Sequence, residues 1–280
     1  MSERVTIEKT KLSNLADAIR EKSGKAATMT LAEMTTTVEG LEKDKTPELL
    51  TNTLTAYSNS DITSLREHAF YGSSALKTIK LPALTTLGAY CFAYSGATTI
   101  ETGKIETITD GAFLGSQLQD ATDILANATT IMDYAFQNSQ IGGTVEIGEN
   151  VKKVGSYAFQ NTQMEKLVFN TKNVCPYFSF GYYRDNSKLT TIKLKKVNYL
   201  YGNKSSINNP NVVKAWLGTQ VTKQSFSGTG GLFYGASSDL QIYVEASKVP
   251  DAWPTDWDLI DASTHATVHY NVTEEEFDKL

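Results

Sequence analysis

Cysteine, histidine and long apolar runs are scarce in this sequence, and each shortage excludes a class of protein. The 280 residues include only two cysteines and three histidines. A small secreted disulfide scaffold needs more cysteines, so we expect Cys91 and Cys175 to be free structural thiols and not one long-range bridge. No apolar run approaches the roughly 18 residues that span a bilayer, so we expect no membrane insertion.

Basic charge is also in short supply. Lys and Arg together number 26 against 31 Asp and Glu, which gives a net charge of −5. Nucleic-acid binding needs a positive field around the phosphates, so we expect no nucleic-acid partner. The first eight residues, MSERVTIE, carry charges and no apolar core, so no signal peptide is predicted.

The residues that enzymes and metal sites need are equally sparse. The sequence has no glycine-rich phosphate loop and no Gly-x-Ser-x-Gly elbow, and its carboxylates are dispersed. His265 and His269 have the spacing of a zinc pair, but the metalloprotease glutamate is missing. Their neighbours favour a strand, where positions four apart lie ~13 Å apart. We therefore expect no catalytic residues, no metal site and no cofactor.

What the sequence does contain is an internal repeat. Five segments align without gaps: ITSLREHAF (62–70), LTTLGAYCF (84–92), IETITDGAF (105–113), ATTIMDYAF (128–136) and VKKVGSYAF (151–159). An aliphatic residue or alanine lies eight residues before each phenylalanine, an aliphatic residue five before, and alanine or cysteine one before. His68 lies two before Phe70, where the other copies hold tyrosine or glycine, so it is predicted to be a surface residue of the repeat.

Each repeat also predicts a short strand after its phenylalanine. Leu76–Leu81 and Thr144–Ile147 alternate apolar with polar residues, which is the pattern of a half-buried strand. Residues that favour turns, mainly Gly, Ser and Asn, precede these segments. One such unit cannot bury its apolar side alone, whereas stacked copies can. We therefore predict a solenoid with the phenylalanines in a ladder through its core.

The repeated pattern, apolar-x-x-(Ile/Leu/Val)-x-x-x-Ala-Phe followed by a turn and a strand, resembles the BspA-type leucine-rich repeats that are common in bacterial surface proteins. The resemblance implies a right-handed leucine-rich-repeat solenoid over residues 61–244. Later units depart from the pattern, because Pro176–Phe180 replaces the Ala-Phe motif. Residues 197–231 are expected to form a long irregular segment before a last unit around Phe233.

The C-terminal residues 245–280 are expected to cap the solenoid. Terminal repeats are often atypical because they close the open end of the core. Ala266–Val272 reads as one extra strand, and Thr273–Phe277 has the pattern of a short helix.

Residues 1–45 have the pattern of a small helical hairpin. Apolar residues recur at helical spacing in two stripes, separated by the Ser23-Gly24 stop signal. The residues expected to serve assembly are Leu12, Leu15, Ile19, Leu31, Met34 and Val38. A hairpin of this size is too small to be stable unaided, so it is predicted to dock to a partner or to form a homo-oligomer. Residues 46–60 would be a linker or N-terminal cap, and the fold class is α+β, mostly β.

One part of this hairpin resembles a known phage module. The pattern consists of Leu15-Ala16-Asp17-Ala18-Ile19-Arg20-x-Lys22-x-Gly24, followed by Leu31-x-x-Met34 and Val38-x-Gly40-Leu41. It resembles a module in tail and other structural proteins of phages and prophages of Gram-positive bacteria. The resemblance implies a location in the phage particle and other virion structural proteins as partners.

A binding surface is the expected functional element. Solenoid strands display one or two outward side chains per repeat, and here these form a mixed set of Lys80, Glu101, Glu146, Val168, Lys193 and Tyr243. The late repeats are rich in tyrosine, which is favoured at recognition surfaces. The candidate binding residues are Tyr182, Tyr183, Arg184, Tyr199 and Tyr201. The alternative is that these rings fill an irregular repeat.

The sequence therefore predicts a non-enzymatic structural protein of a phage tail, baseplate or fibre. Its leucine-rich-repeat face would bind a host-surface glycan or protein, or another virion protein. The alternative is a BspA-like adhesin on a bacterial cell surface, which the lack of an export signal or anchor disfavours. A cell-wall hydrolase would need a pair of carboxylates in a cleft, which the spacing does not indicate.

Overall fold

The computed structural model describes residues 55–172, 186–196, 199–202, 209–218, 223–226, 233–249, 257–261 and 263–280. Over these residues the chain is a mostly β, right-handed solenoid of about seven coils with few helices, as the repeat predicted. The helical hairpin predicted over residues 1–45 lies outside the described residues, as does most of the linker at 46–60.

Short strands supply most of the secondary structure. In chain order the elements are β1 (Ala56–Ser58), β2 (Thr78–Leu81), β3 (Thr99–Thr102), β4 (Thr107–Ile108), α1 (Thr122–Ala126), β5 (Thr130–Ile131), β6 (Gly142–Ile147), β7 (Lys153–Val154), β8 (Gln163–Phe169), β9 (Thr191–Leu194), β10 (Tyr199–Gly202), β11 (Lys214–Leu217), β12 (Lys223–Phe226), β13 (Gln241–Val244), β14 (Thr267–Tyr270) and α2 (Glu274–Phe277).

The strands pair in parallel, one coil against the next. One column of strands, which includes those that follow the repeat phenylalanines, forms a three-stranded sheet, β1-β2-β3, and a six-stranded sheet, β6-β8-β9-β11-β13-β14. A second column, β4-β5-β7, contains the segments that precede the phenylalanines. Buried and less buried residues alternate along strands such as β2 and β13, because one face of each strand turns toward the core.

The predicted phenylalanine ladder is confirmed. Phe70, Phe92, Phe113, Phe136 and Phe159 are all buried. Successive rings lie nearly parallel with centroids 5.3, 5.3, 5.1 and 5.1 Å apart. Offset stacking at this separation adds to the gain from burial, so the ladder joins the coils into one continuous core.

Cys91 occupies the position that holds alanine in the other repeats. It is a free cysteine with no exposed surface, and burial raises the pKa of its thiol because the thiolate would lose its hydration. The expectation of a structural thiol is therefore confirmed for Cys91, whereas Cys175 lies outside the described residues.

The third coil departs from the prediction of one strand per repeat. Its strand position is taken by α1, so β3 and β6 fall into separate sheets. Ala121, Ile124 and Leu125 are buried, and their i, i+3, i+4 spacing fits one face of a helix and not the alternation of a strand. The Asp120 carboxylate also accepts a hydrogen bond from the backbone N–H of Thr122 at 2.8 Å, which fixes the entry to the helix.

The prediction of an irregular segment over residues 197–231 is wrong in its middle. Lys214–Leu217 form β11, which lies between β9 and β13 in the six-stranded sheet. Ala215 and Leu217 are fully buried, so this stretch supplies a regular coil of the core. On either side of it, β10 and β12 form a separate two-stranded parallel sheet.

The extra strand and the short helix predicted near the C-terminus are confirmed. The extra strand is β14, which pairs with β13, and the helix-like segment is α2. Thr273 caps α2 through a reciprocal bond with Glu276, a capping box. Among the residues that the structure describes, no helix is long and apolar enough to cross a membrane.

Candidate functional site

The turns around each phenylalanine have an unusual backbone. In the first coil the N–H groups of His68, Phe70 and Gly72 donate to carbonyls of the next coil at 3.0, 2.6 and 2.9 Å. Alternate N–H groups therefore point along the solenoid axis. The residues two before and two after the phenylalanine adopt left-handed φ angles, as at His68 (58°) and Gly72 (69°). We call the surface around these positions the turn face.

Large aromatic residues occupy many of these left-handed positions. The bulky ones are His68, Tyr90, Tyr94, Tyr134 and Tyr157, with φ between 55° and 58°. Glycine holds the equivalent positions in the third coil, at Gly111 and Gly115. A left-handed conformation costs a residue with a Cβ roughly 1–2 kcal/mol, and it is a real outlier for a bulky residue. Tyrosine is therefore not the residue that the backbone alone would favour here.

The rings of the first two coils form a group that we call the aromatic cluster, defined as His68, Tyr71, Tyr90 and Tyr94. His68 stacks on Tyr90 at 5.5 Å, and Tyr71 meets Tyr94 edge to face at 5.5 Å. Tyr71 and Tyr94 are each 48% exposed. Four adjoining rings thus present both apolar area and hydroxyl groups to solvent, which is the character of a recognition surface.

The glycines of the third coil make room for these rings. A Cβ added at Gly111 would lie 2.2 Å from Cε1 of Tyr90, and one at Gly115 would lie 2.6 Å from Cδ1 of Tyr94. The two tyrosines of the second coil therefore lie against the backbone of the third coil. Beyond this gap a second stacked pair, Tyr134 and Tyr157, continues the column at 5.7 Å.

The outward row predicted on the strands is confirmed by the strand register. Lys80 pairs with Glu101 in the first sheet. In the second sheet one row runs through Glu146, Val168, Lys193, Trp216, Tyr243 and His269. Trp216 was not expected in this row, because no repeat strand was predicted at β11, and His269 extends the row onto the predicted extra strand β14.

Half of this row is not free to bind a ligand. Residues 271–280, which we call the strap, return across the outer face of the six-stranded sheet. Lys193 and Trp216 are each only 3% exposed, and Val168 is also buried. The strap contacts Lys166, Lys193, Lys195 and Lys214. We call the surface formed by these four lysines together with Trp216 and Tyr243 the lysine face. The prediction of Val168 and Lys193 as display positions is therefore wrong.

The candidate binding residues of the late repeats are only partly placed. Tyr199 and Tyr201 lie in β10, which pairs with β12 and not with the main sheet. Tyr182, Tyr183 and Arg184 lie outside the described residues. The residues predicted to serve assembly in the N-terminal hairpin, Leu12 to Val38, lie outside them as well.

The histidine pair has ordinary hydrogen-bond partners. The Nδ1 atom of His265 lies 2.8 Å from an Asp258 carboxylate oxygen, and Nε2 of His269 lies 2.8 Å from Oε1 of Gln241. Within the described part of the chain, no three His, Cys, Asp or Glu residues form a group that could hold a metal ion.

The comparison with known families agrees with the stacked ladder and the parallel register. Residues 50–141 and 106–229, together more than half of the chain, match the BspA type leucine rich repeat region in six copies. The chain belongs to the BspA-type leucine-rich repeat family. No curated protein matches it. The BspA-type assignment is consistent with a surface or binding repeat protein.

Proposed function

We propose that this BspA-type repeat protein is a non-enzymatic recognition protein whose aromatic cluster binds a host-surface ligand. The observation that carries the proposal is the placement of His68, Tyr90 and Tyr94 at left-handed φ angles. Backbone strain of this kind persists where function or packing requires it. Packing alone is a weak reason here, since Tyr94 is half exposed and glycine fills the equivalent position one coil later.

A glycan or a protein loop on a host surface is the ligand class that we favour. Rings with little conformational freedom supply large contact area at low entropic cost. The hydroxyl groups of Tyr71, Tyr90 and Tyr94 can donate to or accept from a polar ligand. Glu67 lies 3.5 Å from Nδ1 of His68 at the edge of the cluster, so the surface combines apolar, hydroxyl and charged groups.

A phage particle is the location that we propose. The support is the resemblance of residues 15–41 to a module of phage tail structural proteins, and the apolar stripes Leu12, Leu15, Ile19, Leu31, Met34 and Val38 would attach the chain to other virion proteins or to further copies of itself. The alternative location is a bacterial cell surface, for which the family membership is the support.

The decisive experiment replaces tyrosine by glycine at the strained positions. Tyr90→Gly/Tyr94→Gly removes two rings and relieves two left-handed side chains, so we expect the melting temperature to stay within a few degrees. Adsorption of the particle or of the purified protein to host cells should fall at least about tenfold, as for hot-spot rings. Asn138→Gly/Asn161→Gly is the matched control, because both residues lie at left-handed positions of the same turn face. Unchanged adsorption of the tyrosine variant would refute the proposal.

A further inference from the structure

The strap covers a second surface, which is distinct from the turn face. The contacts of the strap define the chemistry of that surface. The strap leaves β14 at one edge of the six-stranded sheet and crosses back as far as β8, where Asp278 lies 2.7 Å from Nζ of Lys166. The contact therefore spans five strands, although the helix in it, α2, has a single turn. The contacts of the strap show what the lysine face binds.

Charge is the first feature of this recognition. Nζ of Lys193 donates to Glu274 at 2.7 Å and to Asp278 at 2.9 Å. Lys195 lies 3.1 Å from the same Glu274 carboxylate, and Lys214 donates to the carbonyl oxygen of Leu280 at 2.7 Å. Four ammonium groups on adjoining strands repel one another unless an anionic segment lies between them.

An aromatic residue is the second feature. Phe277 is buried between the two acidic contacts and meets Tyr243 edge to face at 5.4 Å. The Nζ atoms of Lys166 and Lys193 each lie 5.9 Å from the centre of its ring, within reach of a cation–π interaction. Nε1 of Trp216 donates to the carbonyl of Val272 at 2.9 Å, which fixes the backbone of the strap.

The remaining charged side chains of α2 do not contribute to the contact. Glu275 pairs with Lys279 on the outer side of the helix, where Glu275 is 82% exposed. Glu276 bonds to Thr273 within the strap. Recognition by the sheet therefore depends on a short pattern, namely two carboxylates four residues apart with a phenylalanine between them.

We propose that the lysine face is a binding site for an acidic segment of a partner protein with this same pattern, and that the strap is its built-in competitor. A segment tethered by a short linker competes at an effective concentration on the order of millimolar. The site is therefore closed until a partner segment of higher affinity displaces the strap. This proposal is independent of ligand binding at the turn face, and either can fail without the other.

In the test, reversing the charge of two strap residues weakens the contact of the strap with the lysine face. A separate peptide then supplies the sequence of the strap. The probe is a fluorescent peptide of residues 271–280, NVTEEEFDKL, and its binding to the full chain is followed by anisotropy. Glu274→Lys/Asp278→Lys should bind the probe at least about tenfold more tightly than the unchanged chain. Glu275→Lys is the matched control, with the same change of charge on the outer side of α2, and should bind like the unchanged chain.

Two further measurements make the result decisive. Adding Lys166→Ala to the opened variant should weaken probe binding, and a probe carrying lysine at the positions of Glu274 and Asp278 should not bind. Amide hydrogen exchange should show that β8, β9 and β11 stay protected in the opened variant.

Any of three outcomes overturns the proposal. The first is a probe affinity that opening the strap does not change. The second is loss of protection in the sheet, which would make the strap a structural cap. The third is concentration-dependent exchange of straps between copies of the unchanged chain, which would identify a second copy as the occupant.

Discussion

The rings of Phe113 and Phe136 lie parallel, with 5.1 Å between their centroids and 4° between their planes. They belong to successive coils, and neither ring has exposed surface. Because the same contact recurs from Phe70 to Phe159, each coil contributes one ring to a column that its neighbours complete. Loss of one central ring therefore affects the packing of its own coil and of both neighbouring coils.

We expect Phe136→Ala to lower the free energy of unfolding by about 3–5 kcal/mol, through lost burial and the cavity left behind. Phe136 stacks at 5.1 Å on rings on both sides, Phe113 and Phe159. Phe233→Ala should cost less, since Phe233 lies near the C-terminal end of the solenoid. Urea unfolding of both variants provides the measurement. Equal losses would contradict a core in which the central rings support each other.

Glycine is required where neighbouring coils approach closely. A Cβ at Gly155 would lie 2.4 Å from the backbone nitrogen of Asp133, and a backbone atom cannot move aside as a flexible side chain can. Gly155→Ala should therefore destabilise the protein by roughly 1–3 kcal/mol or more. Gly148→Ala is the matched control, because nothing lies within 4 Å of its added Cβ, and it should change stability by less than about 1 kcal/mol. Similar melting temperatures for the two variants would contradict this packing.

The ladder was predictable from the sequence because its spacing is local. The alignment of five repeat copies places Phe70 and its equivalents in one column, independently of the rest of the sequence. The same alignment places His68 on the surface. The left-handed φ angles of Tyr90 and Tyr94 were not predictable, since a bulky side chain seldom adopts this conformation.

The strap contact could not be predicted from the sequence. Lys166 and Asp278 are far apart in the chain, and no local pattern links a strand lysine to a particular carboxylate. The helix α1 was missed for a different reason. The repeat pattern predicts a strand after each phenylalanine, whereas the spacing of Ala121, Ile124 and Leu125 favours a helix.

Acid should release the strap. The lysines beside Glu274 and Asp278 hold the pKa values of both carboxyls below their ordinary values, against the opposing effect of burial. A carboxyl with a lowered folded-state pKa stabilises the closed strap above its unfolded pKa, and this stabilisation is lost as the pH falls through the folded value. Opening is therefore expected below about pH 4.

Fluorescence of Trp216, beneath the strap, provides the measurement. The acid transition should be absent from Trp216→Phe and should move to higher pH in Asp278→Asn, which has already lost one carboxylate. Glu275→Gln should leave it unchanged, since Glu275 contacts only Lys279 among the described ion pairs. Protonation of Glu276 also weakens the capping box at Thr273. If the acid midpoint of Asp278→Asn equals that of the unchanged chain, the transition belongs to this capping box and not to the lysine face.

Deletion of residues 1–45 tests the role of the hairpin that the sequence predicts there. The repeats begin after this segment, and among the residues that the structure describes the buried apolar core starts at Leu65. We expect the shortened chain to keep its cooperative unfolding while losing self-association and, at the proposed location, incorporation into a phage particle. Analytical ultracentrifugation and particle composition are the measurements. Loss of folding would instead show that the hairpin caps the first coil.

The tyrosines of the late repeats and the aromatic cluster make competing predictions for host binding. Tyr182 and Tyr183 belong to the region where the Ala-Phe register breaks, and solenoids tolerate insertions on a binding face. If this region binds the host, Tyr182→Ala/Tyr183→Ala should reduce adsorption with little loss of stability, whereas rings that fill a repeat should cost several kcal/mol when removed. Tyr90→Gly/Tyr94→Gly should then leave adsorption unchanged. We expect the reverse, with adsorption lost through Tyr90 and Tyr94, because Tyr94 is half exposed and both residues occupy positions where the backbone favours glycine. Measuring adsorption and melting temperature for both double variants side by side decides between the two surfaces.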